Sequence, residues 1–310
     1  AAPILTAMGI DVKTAPTDEK VRKLLDERFG AYIGVGQTGG YRDLHMGHRA
    51  IDEARNVQQY GYEATLRFVT LDSMVSNGFQ SWAWESGAQH GGWAGPDTIW
   101  QVRSAYADNG LNLWRQLQSE EERAKLDERV ARESALDDGR ARKDPMAYLP
   151  GLSLRLRKQG TLSLLERLQR QGLAGENLRL AFLGEYERTI QESSIFAHEG
   201  RHAIDKRLKN KVRPVWKSEF NAKLSQVVFT TDPRLALDTI FDANIGDRTP
   251  HGQANWRIMK GLVKWMKQHS SEIHGLDSGR PLLPQFDLLT DAQIQQAFRS
   301  MDPLAKASPG

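Results

Sequence analysis

His198, Glu199 and His202 form a complete H-E-x-x-H within residues 194–205. On a helix, residues four apart lie one above the other on one face, so the two imidazoles can be presented to one metal ion. Glu199 is turned about 100° from His198 and can reach a water in the remaining coordination position. Two histidines with a carboxylate base beside them are half of a catalytic zinc site, in which three protein ligands leave one position open. The competing reading is a polar helix with two solvated histidines. Against it, Ile190, Ser193, Ser194, Ile195, Phe196, Ala197, Ala203 and Ile204 make the helix apolar or small around most of its circumference. Such a helix is expected to be buried, and a buried helix rarely carries two His, a Glu and an Asp without partners.

A third ligand has to come from elsewhere. The chain has no Cys, so a zinc site must be built from His and carboxylates. Residues 216–229 read as a helix whose apolar stripe is Trp216, Phe220, Leu224 and Val227 or Val228. Glu219 sits beside that stripe, and Ala222 is small enough to allow a close helix crossing. His251, Asp238, Asp242 and Glu192 are the other candidates. Glu192 lies six residues before His198 on the same helix and points away from the pair. Asp238 and Asp242, four apart, read equally well as a solvated face. His251, in 246–252, is expected on a loop and is better suited to stabilising a tetrahedral oxyanion. Arg201 and Tyr186 are weaker candidates for that role. His45 and His48, three apart, are expected near the start of a helix reaching about Gln59, where exposure explains them better than metal ligation.

Over residues 187–229 the chain resembles the gluzincin metallopeptidases, and within them the lethal-factor and Mlc-titration-factor type. Those proteins pair H-E-x-x-H-x-x-D with a downstream helix bearing E-F-x-A. The matching residues are His198, Glu199, His202 and Asp205, then Glu219, Phe220 and Ala222. The resemblance implies that His198, His202 and Glu219 hold one zinc ion per chain, with Glu199 as general base. It also implies that Asp205 orients a ligand imidazole through its second nitrogen. The implied activity is zinc-dependent hydrolysis of a peptide or protein substrate. The metzincin pattern fails, because Asp205 stands where a Gly is required and Leu208 where a third His would be.

The elements that must position these residues predict a helix-rich α+β fold; the resemblance implies a zincin-like catalytic domain with an active-site helix and a second, ligand-bearing helix. Thr17-Asp18-Glu19 opens a helix that stops at Gly30; strands are expected over 31–36 and 63–70, with a glycine-rich turn at 37–40. Ser119 to Glu122 reads as a capping box for a charged helix ending near Leu136. The Asp-, Gly- and Arg-rich run 137–145 reads as a linker. It divides an N-terminal α+β region, 1–143, from the catalytic domain, 144–310. Beyond it, 152–156 alternates as a strand and 162–171 reads as a helix. Residues 178–183 suit either state, and the active-site helix follows over about 185–208. A short helix is expected over 233–241, an amphipathic one over 253–268 and a last one to about 301, opened by a capping box at Thr290 and Gln293, with a loosely held tail from Asp302.

The formal net charge is +3 and the isoelectric point about 9.0. Without a lysine-rich tail, zinc-finger spacing or an RNA-binding signature, nucleic acid is not an expected partner. No apolar run approaches the roughly 18 residues of a membrane span. The start Ala1-Ala2-Pro3 resembles the product of signal-peptide cleavage, which gives an expectation of export to the periplasm or medium. Five of the eight Trp lie between 82 and 114, interleaved with glycines and with His90. They form either a stacking surface for sugars or extended peptides, or a small core under a loop. Two rivals to the peptidase reading follow: a zincin-like binding or regulatory protein with dormant chemistry, and a cell-envelope glycan-binding protein built on the Trp-rich region.

Overall fold

The computed structural model describes residue 6 and residues 19–38, 41–76, 92–94, 97–102, 104–208, 214–241 and 249–307. It is helix-rich with a small curled sheet, an α+β chain. The chain divides into two compact units: Ala1–Arg55 with Leu66–Asn109, and Asn56–Thr65 with Gly110–Gly310.

The first unit holds helix α1 (Glu19–Phe29) and most of a five-stranded sheet. Its strands are β1 (Ala31–Thr38), β2 (Tyr41–Gln59), β3 (Tyr62–Ser76), β4 (Gly92–Ala94) and β5 (Thr98–Val102), in the order β1-β2-β3-β5-β4. β1 pairs antiparallel with β2 and β3 pairs parallel with β5. Val69, Leu71 and Val102 form a core covered by Tyr32 and Trp100. The helix expected to carry His45 and His48 is strand β2, with Gly34 opposite His45 and Ala31 opposite His48. His48 lies 3.3 Å from Asp72. Phe79, Trp82, Trp84, His90, Asp242 and the glycines of the expected turn at 39–40 lie outside the described residues.

β2 and β3 turn at Tyr60 and Gly61, whose φ angles are 51° and 79°. A two-residue hairpin turn needs this pair of positive values, which Gly61 adopts freely and Tyr60 does not. Tyr60 is held there by burial: its ring meets Phe229 edge-on at 4.8 Å. The hairpin tip, 56–65, belongs to the second unit.

That unit is a stack of helices: α2 (Ser104–Gln118, from Gly110 onward), α3 (Glu120–Lys143), α4 (Pro150–Arg170) and α5 (Gly175–Ile190). A π-helical segment, Gln191–Glu199, leads into α6 (Gly200–Arg207). Then follow α7 (Val215–Val228), the short α8 (Pro233–Ala236) and α9 (Asp238–Phe241), α10 (Pro250–Gln268), α11 (Asp291–Met301) and α12 (Pro303–Ala307). The core is built from Leu152 and Leu156 of α4, Leu224 and Val227 of α7, Met259, Leu262 and Met266 of α10, and Ile294 and Phe298 of α11. The capping box at Thr290 is present with both of its hydrogen bonds.

Three expectations need correction. The run 137–145 is not a linker: α3 continues to Lys143, and the two units divide at Asn109 and Gly110 instead. Its charges are tertiary partners. Asp137 is buried, accepts a 2.7 Å hydrogen bond from the Leu152 backbone at the start of α4, and pairs with Arg140 at 3.0 Å. A carboxylate at a helix N-terminus is favourable there because the first backbone N–H groups have no helical acceptor. Gly151 lets the two helices close, since a Cβ at that position would stand 2.5 Å from the Ser134 backbone nitrogen. Residues 152–156 are helix, not strand; Leu152, Ser153, Leu154 and Leu156 are all buried, so the alternation read a helix covered on every side. The tail is not loose at its start, where Asp302 is fully buried.

The motif helix is also pinned by its glycine. A Cβ on Gly200 would lie 2.4 Å from Val57 Cγ1. Gly200→Ala is expected to destabilise by about 1–3 kcal/mol in urea denaturation through overpacking. In a Val57→Ala background the cost should shrink; equal costs in both backgrounds would mean the two residues do not press on each other.

Candidate metal centre

α5, the π segment and α6 form one continuous helical run over 175–207, with the H-E-x-x-H at the junction of the last two. The widening begins where Ser193 donates to the carbonyls of Thr189 and Ile190, at 2.8 and 3.3 Å. A hydroxyl that competes for helix carbonyls loosens the regular ladder, and single π turns occur often at functional sites. The expected α-helix is therefore π-helical through Glu199.

α7 crosses this run antiparallel, and a stripe of small and polar residues faces it. Ser218 Oγ lies 2.9 Å from His202 Nδ1, and Gln226 Oε1 lies 3.1 Å from His198 Nδ1. Asn221 donates to Asp205 at 2.9 Å, and Ser225 accepts from Arg201 at 2.9 Å. Ala222, with no exposed surface, allows the close approach.

Glu219 lies in the same stripe. Its Oε2 is 3.4 Å from His198 Nε2, and its Oε1 is 3.6 Å from His202 Nε2. One donor atom from each of the three residues lies within 4.8 Å of the others, a group that could hold a metal ion. The side chains are only 11, 15 and 13% exposed for His198, His202 and Glu219. Four donors placed tetrahedrally at bonds of about 2.0–2.1 Å stand roughly 3.3 Å from one another, close to the 3.4 and 3.6 Å between each imidazole and its nearer Glu219 oxygen. Glu219 Oε2 is buried with no well-formed hydrogen bond, although His251 Nδ1 is 3.2 Å away. A buried carboxylate oxygen ringed by imidazole nitrogens fits a cation among them.

The electrostatics suit that arrangement. Burial, followed by repulsion from His198, pushes His202 down to about 4, so its ring is neutral and free to ligate. Burial pushes the Glu219 carboxyl up, but the imidazoles around it, His198 foremost and then His202 and His251, outweigh burial and hold it at about 2. The Glu199 carboxyl is raised, first by burial, with Glu219 adding repulsion and His198 partly opposing. A carboxylate raised in this way is a stronger base than one in water.

The remaining predicted residues are placed as follows. Asp205 accepts from Arg201 at 3.1 Å and from Asn221, while the second imidazole nitrogens face Ser218 and Gln226. Arg201 is buried in an ion pair with Asp302 rather than aimed at substrate, and Tyr186 is buried against Gly110. Glu192 pairs with Arg188 and with Thr231. His251 is in the first turn of α10, not on a loop, and its side chain is 60% exposed beside Glu219. Residues missed in the sequence are Ser218, Asn221, Ser225, Gln226 and Asp302. A signal existed for the first four, since small and polar residues recur every three or four positions through the apolar α7. Nothing local marked Asp302.

Comparison with protein-family models, with curated proteins and with solved structures finds no match. Among the described residues no helix is long and apolar enough to cross a membrane.

Asp302 anchors the motif helix. Both its carboxylate oxygens accept from Arg201, at 2.7 and 2.9 Å, and both side chains are at most 1% exposed. Asp302→Ala leaves a buried guanidinium short of its main counter-charge and is expected to cost about 3–5 kcal/mol in denaturant unfolding. The double change Arg201→Met with Asp302→Leu is expected to recover much of that loss. A near-neutral Asp302→Ala would show that the pair is not what holds the helix.

Proposed function

We propose that this chain is a zinc-dependent metallopeptidase with a zincin-like catalytic arrangement, in which His198, His202 and Glu219 hold the ion. The observation that carries the reading is the convergence of the two Nε2 atoms on the Glu219 carboxylate, at 3.4 and 3.6 Å, with one of its oxygens buried and without a well-formed hydrogen bond. It is supported by a desolvated Glu199 on the same helical run. Zinc is favoured as the ion because the donor set is nitrogen and carboxylate, with only three protein ligands. When bound it supplies Lewis-acid chemistry, polarising carbonyl oxygens and acidifying water.

The residues of the chain supply the rest. Glu199, its carboxyl raised by burial, accepts the proton of the attacking water and returns it to the leaving amine. Glu219 offsets the charge of the cation. His251, exposed beside Glu219, is placed to donate to the oxyanion formed at the peptide carbonyl. The packing of α7 against the motif run keeps both imidazoles oriented before substrate arrives, which lowers the reorganisation needed during the reaction.

Two measurements test this. Metal analysis of the purified protein is expected to give one zinc per chain, lost in His202→Ala and in Glu219→Ala. No uptake by the wild type, even with zinc added, would overturn the reading. Glu199→Gln is expected to keep the metal and to lower peptide hydrolysis by about 10²–10⁴-fold; undiminished hydrolysis would remove Glu199 from the base role.

A further inference from the structure

The geometry points to Gln226 as a positioning residue that fixes the tautomer of His198, so that Nδ1 carries the hydrogen and Nε2 presents its lone pair to the metal centre. The metal part of this inference rests on the reading of His198 as a ligand; the tautomer part stands on the hydrogen bonds alone.

Gln226 is buried, and its amide is held at both ends. Its Nε2 donates to the backbone carbonyl of Ala236 at 2.6 Å, and its Oε1 lies 3.1 Å from His198 Nδ1. A backbone carbonyl can only accept, so the nitrogen of the amide must face Ala236 and the oxygen must face the imidazole. An amide oxygen also only accepts, so the hydrogen of a neutral His198 ring belongs on Nδ1. The lone pair is then left on Nε2, the atom that faces Glu219 at 3.4 Å. The carbonyl at the end of α8 thus sets the amide, and the amide sets the ring.

His202 is held differently. Its Nδ1 lies 2.9 Å from Ser218 Oγ, and a hydroxyl donates as readily as it accepts. Ser218 fixes where that ring sits but does not by itself choose its tautomer. The two imidazoles of the motif therefore have unequal support. The expected orienting group, Asp205, is engaged with Arg201 and Asn221 instead. A neutral amide in place of a carboxylate orients the ring without adding negative charge behind it, leaving the imidazole a weaker electron donor to the cation.

The experiment is a nitrogen-15 correlation spectrum of the histidine rings in the metal-free full chain, recorded at increasing pH until the spectrum shows a singly protonated His198 ring. The His198 signals are identified by their loss in His198→Ala. The wild type is expected to show His198 protonated on Nδ1; protonation on Nε2, or an even mixture, overturns the inference. Gln226→Met keeps the bulk and removes the acceptor. It is expected to abolish the preference for Nδ1 and to weaken zinc binding by about 10–100-fold, read by chelator competition. A folded Met variant with the wild-type tautomer and affinity overturns the inference as well. If that variant does not fold, the wild-type spectrum still decides. Failure of the wild type to bind zinc would sink the metal centre and leave the tautomer result standing, so the two failures are distinguishable.

Discussion

The guanidinium of Arg201 is the constraint on which the second unit is built. It occupies the variable part of the H-E-x-x-H and has almost no exposed surface. A charge in that position is tolerable only if its hydrogen-bonding directions are filled. Asp302, Asp205 and Ser225 fill them, from the C-terminal end of the chain, from the motif helix itself and from α7. Ser225 in turn donates to Gln59, which donates to the Ala197 carbonyl immediately before His198. Four segments remote in sequence are tied by one buried polar network, and its geometry sets the height and rotation of the motif helix.

The candidate centre lies along the same helix pair. The side of α7 that accepts a hydrogen bond from Arg201 through Ser225 also carries Glu219 to the imidazoles, with Ser218 and Gln226 behind them. The antiparallel crossing pairs Ser218, Asn221, Ser225 and Gln226 with His202, Asp205, Arg201 and His198 respectively. Substitution of one is therefore expected to be felt by its neighbours, since groups sharing a network are not additive. Buried polar stripes are costly when half satisfied and give a single register when complete. Among the described residues, the one well-buried carboxylate oxygen left without a good partner is Glu219 Oε2, where a cation would be held.

Much of the helical half was legible. The periodic apolar stripes of α7 and α10 and the capping box at Thr290 that opens α11 appear where their local signals put them, because these depend on residues within a few positions of one another. The misread elements share a cause. The charged run at 137–145 looks like a linker when its counter-charges are invisible, yet Asp137 answers Leu152 and Asp138 answers Arg280. The alternating leucines of 152–156 look like a strand when the burial of Leu152, Ser153, Leu154 and Leu156 at the start of α4 is not known. Residues 45–48 look helical until β1 and β3 supply their pairing.

The sequence alone determined the chemistry available: two imidazoles four residues apart, a carboxylate beside the first, no thiol, and a downstream helix with a glutamate next to its apolar stripe. Those are properties of residue type and short spacing, and helical geometry converts them into a shared face. Only the tertiary structure decided how the parts meet. It put His251 in the first turn of α10 beside Glu219 and moved the orientation of the imidazoles from Asp205 to Ser218 and Gln226. It also gave Arg201 to Asp302, 101 residues away. Each of these is a contact between distant segments, fixed by which buried polar groups could satisfy one another, and short-range spacing carries no record of that.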